Sequence, residues 1–192
     1  MLETGDLNRS WFALCVKPRH EKTTAWALRS KGFEEFLPLH RRLRRWSDRL
    51  KELDEPLFSR YVFCRFDPMD RLPVLRTPGV VSIVGFAGNP APVADGEIAA
   101  LQAIVKSGLT AQPWPFLQRG QLVRIEAGPL SGLEGILLDW KSRHRLIVSV
   151  TLLQRSVAVE IDRLWVRPIG ARGRLPVKKE GASPFAVEIR TA

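Results

Sequence analysis

Gly120-Gln121-Leu122-Val123-Arg124-Ile125-Glu126-Ala127-Gly128-Pro129-Leu130-Ser131-Gly132-Leu133-Glu134-Gly135 decides the reading of the chain's second half. A short apolar run, 122–125, meets a Gly-Pro turn, and a Gly-x-x-Gly step leads into the next run. Glycine at 128, 132 and 135 permits backbone angles that other residues resist, so a β-structure can turn tightly there. Working outward, 135–138, 146–150 and 157–161 repeat the pattern of short apolar segments separated by turn residues, and a last strand is expected over 164–166. Five short strands within ~50 residues predict a small barrel, an architecture that closes its own edges. The β-branched residues Val123, Ile125, Ile136, Ile147, Val148, Val150, Val157, Val159 and Ile161 each disfavour helix slightly, which argues against a helical alternative.

Before this region, 108–117 carries Pro113 and Pro115 without helical or strand period and reads as a linker. The front half, 9–107, has a different rhythm. Residues 11–16 form an apolar strand-like run ended by Lys17-Pro18. A helix is expected over 20–31, with Ala25, Trp26 and Leu28 on its apolar side and Gly32 as its stop. A short strand at 36–39 precedes a basic segment, 40–55. Its Arg41, Arg42, Arg44, Arg45, Arg49 and Lys51 are followed by Asp48, Glu52, Asp54 and Glu55. The segment 57–66 reads as one long strand, 68–76 as a short helix, 80–86 as a strand, and Asp95 as the cap of a helix reaching Val105. The order β-α-β-β-α-β-α predicts an α+β fold, an antiparallel sheet with helices packed on it in a ferredoxin-like sandwich.

Composition restricts function. Thirty Lys and Arg against twenty Asp and Glu leave a formal charge of +10, which points to a polyanion or an acidic surface as partner. The competing view is a basic surface kept for solubility. No apolar run approaches the ~20 residues of a membrane helix, no signal-peptide pattern precedes Trp11, and a cytoplasmic monomer is expected. Cys15 and Cys64 sit inside apolar alternating runs and read as buried thiols. The histidines are scattered and no CxxC occurs, so no metal or cofactor is expected. No nucleophile–base pair, phosphate loop or carboxylate pair stands out, which argues against an enzyme.

The segment 120–135 closely resembles the KOW signature. Arg145-Leu146-Ile147-Val148-Ser149-Val150-Thr151-Leu152-Leu153-Gln154-Arg155, followed by Val159-Glu160-Ile161, looks like the rest of a NusG KOW domain of SH3-like form. Upstream, Trp11-Phe12-Ala13-Leu14, then Pro56-Leu57-Phe58-Ser59-Arg60-Tyr61-Val62-Phe63, then Thr77-Pro78-Gly79-Val80-Val81-Ser82-Ile83-Val84-Gly85 resemble the NusG N-terminal domain in the right order. The resemblance is strongest to the specialised paralogues, RfaH and the antiterminators of polysaccharide operons. It divides the chain into an N-terminal (NGN) domain over 9–107, a linker over 108–117, a KOW domain over 118–169 and a basic tail over 170–192. One departure matters: the family usually has Phe-Pro-Gly-Tyr where this chain has Phe58-Ser59-Arg60-Tyr61.

The resemblance implies a transcription elongation and antitermination factor, and with it site residues. Trp11, Phe58 and Tyr61 match the positions that dock on the clamp helices of the RNA polymerase largest subunit; the competing reading makes them core residues of the sheet. Arg76 and Thr77 match a loop that reaches the opposite polymerase pincer, with a plain turn as the alternative. Arg41, Arg42, Arg44, Arg45 and Trp46 are candidates for contact with non-template DNA, through phosphate attraction and base stacking. A hairpin neutralised by its own acids is the competing reading. Leu152, Leu153 and Arg155 match the KOW loop through which relatives meet a small-subunit ribosomal protein or Rho, although the family often has Phe at the position of Leu153. The alternative function is a KOW-containing ribosomal or ribosome-assembly protein that binds RNA. A DNA-binding repressor is disfavoured by the lack of a basic recognition helix.

Overall fold

A computed structural model describes residues 8–46, 49–115, 120–140 and 143–169. The front half is built on β1 (Ser10–Val16), whose alternation sends side chains to both faces of a sheet. Phe12, Leu14 and Val16 point to one side with Val62, Cys64 and Phe66; Trp11 and Ala13 point to the other with Phe63. Helix α1 (Glu21–Ser30) covers the first face with Ala25 and Leu28. Strands β2 (Glu34–Phe36), β3 (Leu39–Trp46), β4 (Arg49–Pro56) and β5 (Tyr61–Phe66) follow. Then come the one-turn α2 (Leu72–Leu75), which adds Val74 to the first face, and β6 (Val80–Ile83). Two-residue strands β7 (Gly85–Phe86), β8 (Asn89–Pro90) and β9 (Pro92–Val93) lead to α3 (Asp95–Lys106). Helix α3 covers the second face with Ile98, Leu101 and Ile104, spaced by three so that they share one side.

The sheet order is β2-β5-β1-β6, with β9 also on β1, and every one of these pairings is antiparallel. The α+β sandwich expected from the element order is therefore present, with three differences in detail. The strand expected over 57–66 starts only at Tyr61, because 57–60 is a turn. The strand expected over 80–86 breaks after Ile83, where Val84 N–H instead donates to Ala13 C=O at 2.8 Å. Asp95 is the first helical residue, and its side chain does not cap. The basic segment folds as a hairpin of its own, β3 on β4, paired from Leu39↔Pro56 to Trp46↔Arg49.

Among the described residues the second half forms one antiparallel sheet. Its strands are β10 (Ala111–Pro115), β11 (Gln121–Ile125), β12 (Glu134–Trp140), β13 (Arg143–Val150), β14 (Arg155–Ile161) and β15 (Val166–Pro168). They lie in the order β10-β14-β13-β12-β11-β15. The residues read as a linker thus include a strand, paired from Ala111↔Val159 to Pro115↔Arg155. Prolines had hidden it: Pro113 and Pro115 cannot donate to a ladder, but β10 is an edge strand and has one side on which no donor is needed. The sheet has six strands where five were expected, and the strand expected over 164–166 lies at 166–168, after a short helical turn. Leu146, Val148 and Val150 on β13 and Val157, Val159 and Ile161 on β14 alternate inward.

Two glycines of the deciding segment act as expected. Gly128 has φ +78°, and a Cβ there would meet the Trp165 ring at 2.9 Å. At Gly135 a Cβ would stand 2.7 Å from the Ile147 carbonyl oxygen, so only glycine lets β12 and β13 approach this closely.

Candidate functional site

The turn between Phe58 and Tyr61 organises the candidate docking residues. Tyr61 N–H donates to Phe58 C=O at 3.1 Å, closing the turn. Arg60 adopts φ +70°, the left-handed conformation that a glycine supplies freely. Its N–H donates to the Glu21 carboxylate at 2.8 Å and its carbonyl accepts from Val16 N–H at 2.9 Å. Glu21 is buried, so this bond satisfies a carboxylate held at the start of α1. The departure Ser59-Arg60 therefore keeps a left-handed turn, at the steric cost of a side chain. Replacing Arg60 with Gly should relieve about 1–2 kcal/mol of strain and return part of it as unfolded-chain entropy. A net gain of roughly 0.5–1 kcal/mol in urea unfolding is expected; a loss would mean that the arginine side chain itself holds the turn.

Burial separates the three aromatics. Trp11 is 5% exposed and Phe58 1%. Phe58 packs edge-on against Phe63, ring centres 5.8 Å apart, in the same apolar cluster as Ile98 and Leu101 of α3. For these two the core reading is the one the geometry favours. Tyr61 is half-buried, and its ring carries the Arg155 guanidinium at 5.5 Å. Arg155 belongs to the other predicted contact surface. Leu152 packs on the same apolar cluster, Leu153 is buried, and Thr151 N–H donates to the Glu97 carboxylate of α3 at 3.1 Å. Tyr61 and Arg155, which the sequence assigned to different partners, thus meet in the structure. Tyr61 and Arg155 come from separate halves, and no periodicity signals such a meeting; Glu97 was missed for the same reason.

Arg76 and Thr77 part company. Arg76 is exposed, whereas Thr77 is 2% exposed. The Thr77 hydroxyl donates to Pro73 C=O at 3.0 Å and accepts from Lys31 Nζ at 2.8 Å; Lys31 also donates to Pro73 C=O at 3.0 Å. Thr77 fastens the end of α2 to the end of α1, which is the turn reading.

On the hairpin, Arg41 and Arg42 are exposed, and each faces an acid across the ladder: Arg41–Glu52 at 3.9 Å and Arg42–Glu55 at 3.1 Å. The backbone places Arg44 opposite Lys51, Arg45 opposite Leu50 and Trp46 opposite Arg49. The side chains of Arg44, Arg45 and Trp46 lie outside the described residues, as does the tail 170–192. At the hairpin's foot, burial pushes His40 below the usual imidazole range; Glu55 opposes the shift and Arg42 adds to it. Burial likewise pushes the Cys64 thiol up to about 12, with Glu35 and Glu34 adding to it, so the thiol stays protonated and inert. Cys15 is half-buried. Among the described residues no group of His, Cys, Asp and Glu could hold a metal ion. No described helix is long and apolar enough to cross a membrane.

Residues 9–102 match the family model described as NusG, transcription termination factor nusG. The transcription termination/antitermination protein NusG of Yersinia pestis is 32% identical over 90 residues, 43% of this chain and 49% of that protein. That of Thermus thermophilus is 26% identical over 156 residues, 74% of this chain and 84% of that protein. The chain spans about half the length of curated relatives such as the Yersinia protein. A solved structure described as "Domain interaction in Thermotoga maritima NusG" matches 86% of this chain and all of its own, with a TM-score of 0.50 and 18% identity, a likeness of fold. With the matched region coinciding with the α+β sandwich, residues 9–102 of the chain carry a NusG domain.

Proposed function

We propose that the chain is a transcription termination/antitermination factor that docks on the clamp helices of RNA polymerase and promotes processive elongation, while its second half recruits a further partner. The observation that carries this reading is the NusG match over 9–102, laid on a sandwich at whose end Tyr61 presents a half-exposed aromatic ring. Tyr61 is the contact residue of the set; Trp11 and Phe58 support it from the core beneath. Tyrosine suits the task because its ring packs on an apolar helix surface while its hydroxyl stays wet. Arg76, exposed at the end of α2, is the candidate for a second polymerase contact. Bridging two polymerase elements would bias the enzyme toward its elongating state, a shift of population with no chemistry by the factor itself.

In the closed arrangement Arg155 sits on Tyr61, so docking exchanges an intramolecular cation–π contact for an apolar partner. Separation of the two halves would uncover Leu152, beside the exposed Arg155, for a small-subunit ribosomal protein or Rho. The test is co-purification of the full chain with RNA polymerase and pause suppression in a purified transcription assay. Co-purification with ribosomal subunits and no polymerase would overturn the proposal in favour of an RNA-binding ribosome-assembly role.

The β3–β4 hairpin is proposed to touch non-template DNA with sequence-tolerant contacts. Replacing Arg41, Arg42, Arg44 and Arg45 together with Ala should weaken binding to single-stranded DNA. With ~0.7 counterions released per phosphate contact, the log–log salt slope should fall by up to about 3. An unchanged slope would assign these arginines to solvent and to Glu52 and Glu55.

A further inference from the structure

A cavity of about 630 Å³ opens at the seam, between the foot of the β3–β4 hairpin and the β10–β14 edge of the second sheet. Arg41, Arg42 and Glu55 line it from the hairpin, and Arg155 from the start of β14. Three arginines and one glutamate therefore line it, and the glutamate's carboxylate is committed to Arg42 at 3.1 Å. Among the described residues Arg41 pairs with Glu52, at 3.9 Å, and stands opposite Asp54 in the ladder, and neither acid is part of this wall. Arg155 rests on the Tyr61 ring and pairs with no carboxylate among the described residues. Two cations from different halves are thus gathered at one opening with their charge poorly answered. Leu57 and Pro113 add apolar wall beside them.

We propose that this seam cavity binds a phosphate-bearing ligand whose anionic oxygens bridge the Arg41 and Arg155 guanidiniums. A planar guanidinium offers paired donors that match phosphate oxygens, and a dianion relieves the repulsion between like charges brought together by folding. The apolar wall suits the sugar or base attached to the phosphate. Because the two arginines belong to different halves, the ligand stabilises the closed arrangement by mass action and keeps Arg155 over Tyr61. The phosphate has two possible sources, a small phosphorylated molecule or the phosphodiester backbone of a single strand. The site itself does not depend on the polymerase reading.

Tyr61 is the one tyrosine of the chain, so 3-fluorotyrosine labelling places a single ¹⁹F resonance at the seam. The labelled full chain is titrated with pyrophosphate and, separately, with an octathymidylate, against sodium chloride at matched ionic strength. A saturable shift beyond the chloride baseline is expected with at least one of them. Pyrophosphate response assigns the small-molecule source, and response to the oligonucleotide alone assigns the backbone. In Arg41→Gln and in Arg155→Gln, both exposed positions, the affinity should be at least about ten-fold weaker, the effect of losing a charge-assisted bond. No saturable shift with either probe, or an unchanged affinity in either variant, would overturn the proposal. Polymerase is absent from the measurement, so failure here leaves the docking reading standing, and the reverse.

Discussion

Phe58→Ala should cost about 3–5 kcal/mol of stability, the usual range for emptying a buried aromatic site. Phe58 is 1% exposed, and it meets Phe63 edge-on beneath α3, so truncation leaves a hole bounded by a helix and a sheet that cannot both collapse into it. A domain whose whole stability is ~5–15 kcal/mol loses a large share of it. The expected record is a urea midpoint displaced to much lower concentration with little change in slope, since the surface exposed on unfolding stays nearly the same. A variant that unfolds at the parent's midpoint yet no longer binds RNA polymerase would return Phe58 to the contact surface and remove it from the core.

Tyr61→Ala should do the opposite. Its ring is half-buried at the start of β5, and its removal exposes no sealed cavity, so the sandwich should remain folded. An interface aromatic typically costs ~2 kcal/mol or more when cut to Ala, so polymerase affinity should fall by roughly 30-fold. Tyr61→Phe keeps the ring and should retain most of that affinity. Binding is measured with the full chain immobilised and purified polymerase in solution. Full affinity in Tyr61→Ala would show that docking uses another surface. Because Arg155 lies on the same ring, the variant also loses the cation–π contact at the seam, and a change in unfolding cooperativity would report it.

The sandwich was legible because both faces of its central strands are apolar in register. Phe12, Leu14 and Val16 against Trp11 and Ala13 make a double alternation that only a covered sheet satisfies. The second sheet was legible from its β-branched runs and from Gly128 and Gly135, whose missing side chains the packing requires. Strand β10 was not, because a rule that excludes proline from strands fails at an edge. Phe58 was read with Tyr61 because both flank one turn; what separates them is which side the turn delivers each ring to, and Arg60's left-handed backbone sets that. The seam was illegible in principle: Arg41, Glu97, Tyr61 and Arg155 carry no local pattern that says they meet.

The pairing of β10 with β14 also sets how far the two halves can part. While β10 is held, only four residues, between Lys106 and Ala111, join α3 to the second sheet, and fully extended they reach at most roughly 18 Å. Were β10 to peel away, the free chain would run to the start of β11, and its extended reach would grow to ~50 Å. A short leash keeps the local concentration of one half at the other's surface high, and a longer one dilutes it by roughly the three-halves power of length. One edge strand, bonded to the sheet on one side alone, would therefore act as a length adjuster: zipped, it would favour reunion of the halves; unzipped, it would let each search its own volume.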